Sequence, residues 1–86
     1  MAFALLPPRN PSRGGQVSLS FTLPVASRAR LELLDVHGRR VAIQDVGGAG
    51  RHDIVLGEGQ RVASGVYFVR LTQDARVAKS RVVVVE

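Results

Sequence analysis

The stretch Ala63-Ser64-Gly65-Val66-Tyr67-Phe68-Val69-Arg70-Leu71 sets a small-residue break directly before a β-branched and aromatic run. Gly65 admits backbone shapes that residues with a Cβ resist. Val66 to Leu71 is the composition strands favour. At a period of two, Tyr67, Val69 and Leu71 share one face and Phe68 takes the other. The chain's one Tyr and one of its three Phe stand here.

The same period extends outward in both directions. In Gln16 to Leu23, Val17, Leu19, Phe21 and Leu23 alternate with Ser18, Ser20 and Thr22, the pattern of a half-buried strand that Pro24 stops. Arg28 to Leu34 turns Ala29, Leu31 and Leu33 inward and Arg30 and Glu32 outward. In Asp35-Val36-His37-Gly38-Arg39, Asp35 is suited to bonding the turn backbone and Gly38 to the positive φ of a bulged hairpin. Arg40 to Val46 is the return strand. Gly47-Gly48-Ala49-Gly50 is a loop, His52 to Leu56 a short strand, and Gly57-Glu58-Gly59 the next break. Beyond Val66 to Thr72, Gln73 to Arg76 form a turn and Val77 to Val85 the last strand.

Six strands without helical periodicity make an all-β sandwich. Its expected core is Leu19, Phe21, Leu31, Leu33, Val41, Ile54, Tyr67, Val69 and Leu71. Val82 to Val85 are apolar on both faces, which fits either a fully buried strand or an edge awaiting a partner. Residues 1–15, with Pro7, Pro8, Pro11 and Gly14-Gly15, read as a lead-in, and residues 16–86 as the sandwich domain.

At 86 residues the chain is one domain with a small core. It has no cysteine, so disulfides and thiolate metal sites are excluded. The net charge is +5, and eleven of the twelve basic residues are Arg. These charges are scattered at strand spacing and in turns, as on a solvated outer face. No nucleic-acid partner is expected from them, although a basic module for nucleic acid or anionic glycan stays an open alternative. No run approaches the ~18 apolar residues of a membrane helix. Met1 to Pro8 lacks the basic region and the apolar length of a signal peptide, so an export signal would lie elsewhere on a longer parent chain.

No reactive constellation emerges. His37 falls in a turn and His52 begins a strand, without the spacing of a zinc motif. The carboxylates are dispersed, with no calcium loop. Gly47 to Gly50 lacks the Lys-Ser/Thr of a phosphate-binding loop, and there is no nucleophile elbow. The expectation is a non-enzymatic module with no cofactor or metal.

The order of landmarks resembles a known family. Asn10-Pro11 precedes the first strand. Leu31 to Val41 resembles a "strand, Asp-x-x-Gly-Arg, strand" hairpin. Gly50-Arg51-His52 resembles an "Ala-Gly-x-His" strand entry. Ala63 to Leu71 resembles a Gly-x-Tyr strand, and Lys79 with the following valines resembles a Lys-plus-apolar ending. The family is the C-terminal sorting domain of the type IX secretion system, with the related immunoglobulin-like domain of the flagellar hook-capping protein. The hook-capping relatives carry Trp-Asp-Gly where this chain has Leu56-Gly57-Glu58-Gly59, which favours the sorting branch. Ser80-Arg81 separates Lys79 from the valines, where the family often runs Lys directly into apolar residues.

The resemblance implies an antiparallel, immunoglobulin-like β-sandwich of about seven strands, or eight. It implies a domain that follows an N-terminal cargo and is recognised by an outer-membrane translocon. A sortase-like protease then removes it, as the cargo passes from periplasm to cell surface or medium. Recognition is expected at Lys79, Val82, Val83, Val84 and Val85. Asp35, Gly38, Gly65 and Tyr67 are expected as structural residues of the motifs. The competing reading is an accessory spacer domain of a secreted enzyme or adhesin.

Overall fold

The alternation of Val17 to Leu23 reappears as burial: Val17, Leu19, Phe21 and Leu23 are in the core, and the residues between them face outward. The computed structural model describes residues 2–8, 10, 12–13, 15–56 and 62–85. The strands are β1 (Ala4–Leu5), β2 (Ser12–Arg13), β3 (Val17–Leu23), β4 (Ala29–Leu34), β5 (Arg40–Val46), β6 (Gly50–Leu56), β7 (Gly65–Gln73) and β8 (Arg76–Val85). They form an all-β fold of two sheets, ordered β1-β3-β6 and β2-β8-β7-β4-β5. The break expected at Gly57-Glu58-Gly59 lies outside the described residues.

Neighbouring strands are antiparallel except β2, which runs parallel to β8 with Ser12 opposite Val84 and Arg13 opposite Val85. That pair departs from the all-antiparallel expectation. Segment 1–15 contributes two strands, one to each sheet. Ala4 and Leu5 pair with Thr22 and Phe21 of β3, and the chain then crosses over to β8. Two-residue strands carry too few positions to show a period.

The facing rows interlock in one core. β3 supplies Leu19 and Phe21, β4 Leu31 and Leu33, β7 Tyr67, Val69 and Leu71, and β8 Val82 and Val84. Val41 and Ile54, expected in this core, are half-buried instead. They sit on β5 and β6, which are outer strands of their sheets, so each has neighbours on one side only. Gln73 extends the inward row of β7 and is fully buried. Its Nε2 donates to the carbonyls of Val25 (3.0 Å) and Ser27 (2.7 Å), which pins the β3–β4 connection to the start of the β7–β8 turn.

Three local devices hold the ends of strands. At the β4–β5 turn, one Asp35 oxygen accepts from the amides of His37 and Arg39, both at 2.9 Å, and the other from Arg39 Nε at 3.1 Å. Gly38 takes a φ of +79° there, a conformation side chains oppose. At the β5–β6 loop, the His52 ring stacks on Phe21 with centroids 5.3 Å apart, and its Nε2 lies 2.7 Å from the Gly48 carbonyl. At the entry to β7, the buried Tyr67 ring sends its hydroxyl back to the Ala63 carbonyl at 2.7 Å. This last bond resembles the tyrosine corner of immunoglobulin-like sandwiches.

Replacing Tyr67 with Phe keeps the ring in place and removes that bond. The expected loss is about 1 kcal/mol, read as a fall of roughly 4–8 °C in the melting temperature of a domain this small. A shift near zero would show that the Ala63 bond contributes nothing to the fold.

Candidate recognition site

β8 divides the five candidate recognition residues by the period of the strand. Val82 and Val84 point into the core and are inaccessible. Val83 and Val85 are half-buried and Lys79 is exposed, all three on the outer face of the five-stranded sheet. Lys79 stands opposite Arg70, Arg81 opposite Phe68, and Val83 opposite Val66. The five candidates, all on one strand, therefore present three side chains outward and two inward.

Beside this row the outer face is organised by one carboxylate. Glu32 points outward from β4, yet its side chain is only 7% exposed because two arginines cover it. Arg70 Nε and Nη2 donate to its two oxygens at 2.9 and 3.1 Å, and Arg40 Nη1 adds a bond of 3.3 Å. The strands β7, β4 and β5 are thus tied across their outward face. The forked bonds from Arg70, aided by its positive charge and by Arg40, hold the Glu32 carboxyl below its usual range.

The free edge of β8 is capped by a side chain. The Val83 amide donates to Asn10 Oδ1 at 2.8 Å, and Asn10 Nδ2 donates to the Arg81 carbonyl at 3.3 Å. One amide side chain thereby takes the place of a strand residue, next to the two-residue β2. Among the described residues no strand pairs with β8 outside β7 and β2, and β2 reaches only Val84 and Val85. The edge from Arg76 to Ser80 lies beyond that cover.

Each sequence landmark now has a physical task. Asn10 caps β8, Asp35 and Gly38 close a hairpin, His52 locks a loop onto Phe21, and Tyr67 fixes the entry to β7. Over residues 9–86 the sequence matches the family model for the secretion system C-terminal sorting domain. The chain belongs to the C-terminal sorting domains of type IX secretion. No curated protein sequence matches it significantly. Among solved structures, CopC from Methylosinus trichosporium OB3b is similar with a TM-score of 0.59 and 17% identity, covering 96% of this chain and 93% of that one. At that identity the likeness is one of fold, and it supports the β-sandwich.

A sorting domain of this family is not catalytic, and it works as part of an exported protein together with a secretion system. Among the described residues, no three His, Cys, Asp or Glu are grouped to hold a metal ion. The sorting domain's Glu32–Arg70–Arg40 cluster and the Asn10 cap were not singled out from the sequence. Their partners lie 38 and 73 residues away, and only strand register joins them. A signal for the first was present in outward Glu32 and Arg70 at matching phase on two strands; Asn10 was legible only as the landmark that precedes the first strand.

The Glu32 bonds set a pH dependence. Its folded-state value lies below that of the unfolded chain, so the unfolded chain takes up the proton first. Stability is fully present above the ordinary carboxylate range and is lost as pH falls through the folded-state value. Asp35, bonded chiefly by the Arg39 amide, and Asp53, bonded chiefly by Ser20, are lowered in the same direction. Melting temperature should therefore drop on acidification, and E32Q should flatten part of that drop while costing about 1–2 kcal/mol at neutral pH. An unchanged acid profile in E32Q would count against the cluster. Separately, N10A should speed hydrogen exchange of the Val83 amide about tenfold or more with only a small change in melting temperature, since the cap satisfies an edge and buries no apolar surface. Unaltered protection of Val83 would remove the cap from the account.

Proposed function

We propose that the sorting domain carries an N-terminally attached cargo through the outer-membrane translocon by offering β8 and the sheet face beside it to a receptor. The match over residues 9–86 carries this reading, because it spans nearly the whole chain. Of the five candidate residues, Lys79, Val83 and Val85 are those β8 turns outward, and the uncovered edge from Arg76 to Ser80 adds main-chain groups. An exposed edge supplies hydrogen bonds and alternate side chains supply selectivity. Val82 and Val84 act indirectly, by holding the strand in the sheet. Asp35, Gly38, Gly65 and Tyr67 shape the frame that β8 rests on. On this reading the domain crosses the periplasm with its cargo. A sortase-like protease then removes it at the cell surface.

The test fuses the chain to a reporter passenger in a host with a type IX system and compares it with the K79E variant. Lys79 is exposed and its side chain packs into no core, so the variant is expected to fold with the parent's melting temperature. Surface delivery should fall about tenfold, as for a loss of ~1.4 kcal/mol in receptor affinity, and passenger should accumulate in the periplasm. Full delivery by K79E would overturn the role given to Lys79, and full delivery by a fusion lacking the whole domain would overturn the sorting reading.

A further inference from the structure

We propose that the outer face of the five-stranded sheet is a docking surface for an extended peptide segment that carries both carboxylates and apolar side chains along one of its faces, at every second residue. The inference rests on the sorting reading for the identity of the partner, a protein of the secretion machinery. The chemistry of the surface stands on its own residues.

Three observations converge on this face. It is uncovered among the described residues: the β1-β3-β6 sheet packs on the opposite side of β4, β7 and β8. It holds exposed apolar side chains that the core does not use, with Ile43 46%, Val66 39%, Phe68 38% and Val77 54% accessible. A group of large apolar side chains gathered on one face marks an interaction surface more than scattered single residues do. It is also basic. Arg30, Arg40, Arg70, Lys79 and Arg81 share the face with Glu32 and Asp45, and Asp35 and Asp74 border it at the turns. All four carboxylates are already engaged, Glu32 by Arg70 and Arg40, Asp45 by Arg30, Asp35 by Arg39 and Asp74 by Arg76. Lys79 and Arg81 have no ion-pair partner among the described residues.

The arrangement of these groups selects the occupant. Along β8 the outward residues run Val77, Lys79, Arg81, Val83, and along β7 they run Val66, Phe68, Arg70, Thr72. Successive outward positions are roughly 7 Å apart, the repeat of every second residue in any extended chain. A strand-like peptide with carboxylates and apolar side chains at that repeat meets cations and apolar side chains together. Between them lies a shallow depression of about 750 Å³, whose lining sets Val77 and the cations of Arg30, Arg40, Arg70 and Lys79 beside the ion-paired carboxylates of Glu32, Asp45 and Asp74. A sulfated or phosphorylated polymer would satisfy the cations but leave Ile43, Phe68 and Val77 unused. A second copy of the chain would bring the same unpaired cations against themselves.

The experiment titrates the isotope-labelled 86-residue chain with a synthetic peptide, Ser-Val-Ser-Glu-Ser-Glu-Ser-Val-Ser (the Val-Glu peptide), whose Val and Glu share one face when it is extended, observed by NMR. Parallel titrations use a Val-Lys peptide and dextran sulfate. The Val-Glu peptide is expected to shift Phe68, Arg70, Lys79 and Arg81 while leaving β3 and β6 unmoved. The double variant K79E/R81E should weaken binding about tenfold or more, and salt should weaken it several-fold. Melting of the variant checks its fold, and F68S serves as an independent variant that keeps all charges. No binding by the Val-Glu peptide, equal binding by the Val-Lys peptide, or tighter binding by dextran sulfate at the same residues overturns the proposal. So does a dimer, seen in sedimentation, that the double variant dissolves. Peptide binding in solution and surface delivery in cells are separate readouts. Failed binding with normal delivery removes this surface and leaves the sorting reading, whereas normal binding with delivery independent of the domain removes the sorting reading alone.

Discussion

The inward row of β7, Tyr67, Val69, Leu71 and Gln73, is packed in one core with Val17 to Leu23 of β3, and the other elements are positioned by that contact. β7 is hydrogen-bonded to β4 on one side and to β8 on the other, so its register sets theirs. A shift of one residue would turn Phe68 and Arg70 into the core and the Tyr67 row into solvent. Both ends of β7 are also tied down. The Tyr67 hydroxyl holds the entry through Ala63, and the Gln73 amide holds the exit through Val25 and Ser27. In a domain too small for a large core, such bonds contribute a sizeable share of a thin stability margin.

The position of β8 follows from this arrangement. One side is secured by β7 from Arg76 to Val84, and the other is covered only at its end, by β2 and by the side chain of Asn10. The valine run is therefore neither a fully buried strand nor a bare edge. Its inner valines belong to the core and its outer ones to the solvent-facing sheet. The residues that anchor β8 and those that face outward alternate along the same segment, so the strand stays folded while it presents side chains.

Much of the fold was legible because alternation is a local property. Leu19, Phe21, Leu31, Leu33, Val69 and Leu71 declare their side through neighbours two positions away, and the structure buries each of them. The Asp35–Gly38 turn was legible for the same reason, since its bonds span at most four residues. Val41 and Ile54 show where local reading fails: their phase is inward, but how deeply they are buried depends on lying in outer strands. β1 and β2 escaped because two residues make no pattern. Glu32 escaped in another way. Its outward phase was correct, but its burial comes from Arg70 and Arg40, which reach it across the sheet.

The Gly-x-Tyr run, the Asp-x-x-Gly-Arg turn and the order of landmarks by themselves determined an all-β sandwich and membership of the sorting-domain family, because short-range periodicity, turn chemistry and motif order are written along the chain. Only the tertiary structure decided which valines of the last strand are presented, how Asn10 closes its edge, and how cations and apolar side chains gather on one face. Those features depend on strand order and register, which bring together residues up to 73 positions apart. No local pattern carries that information.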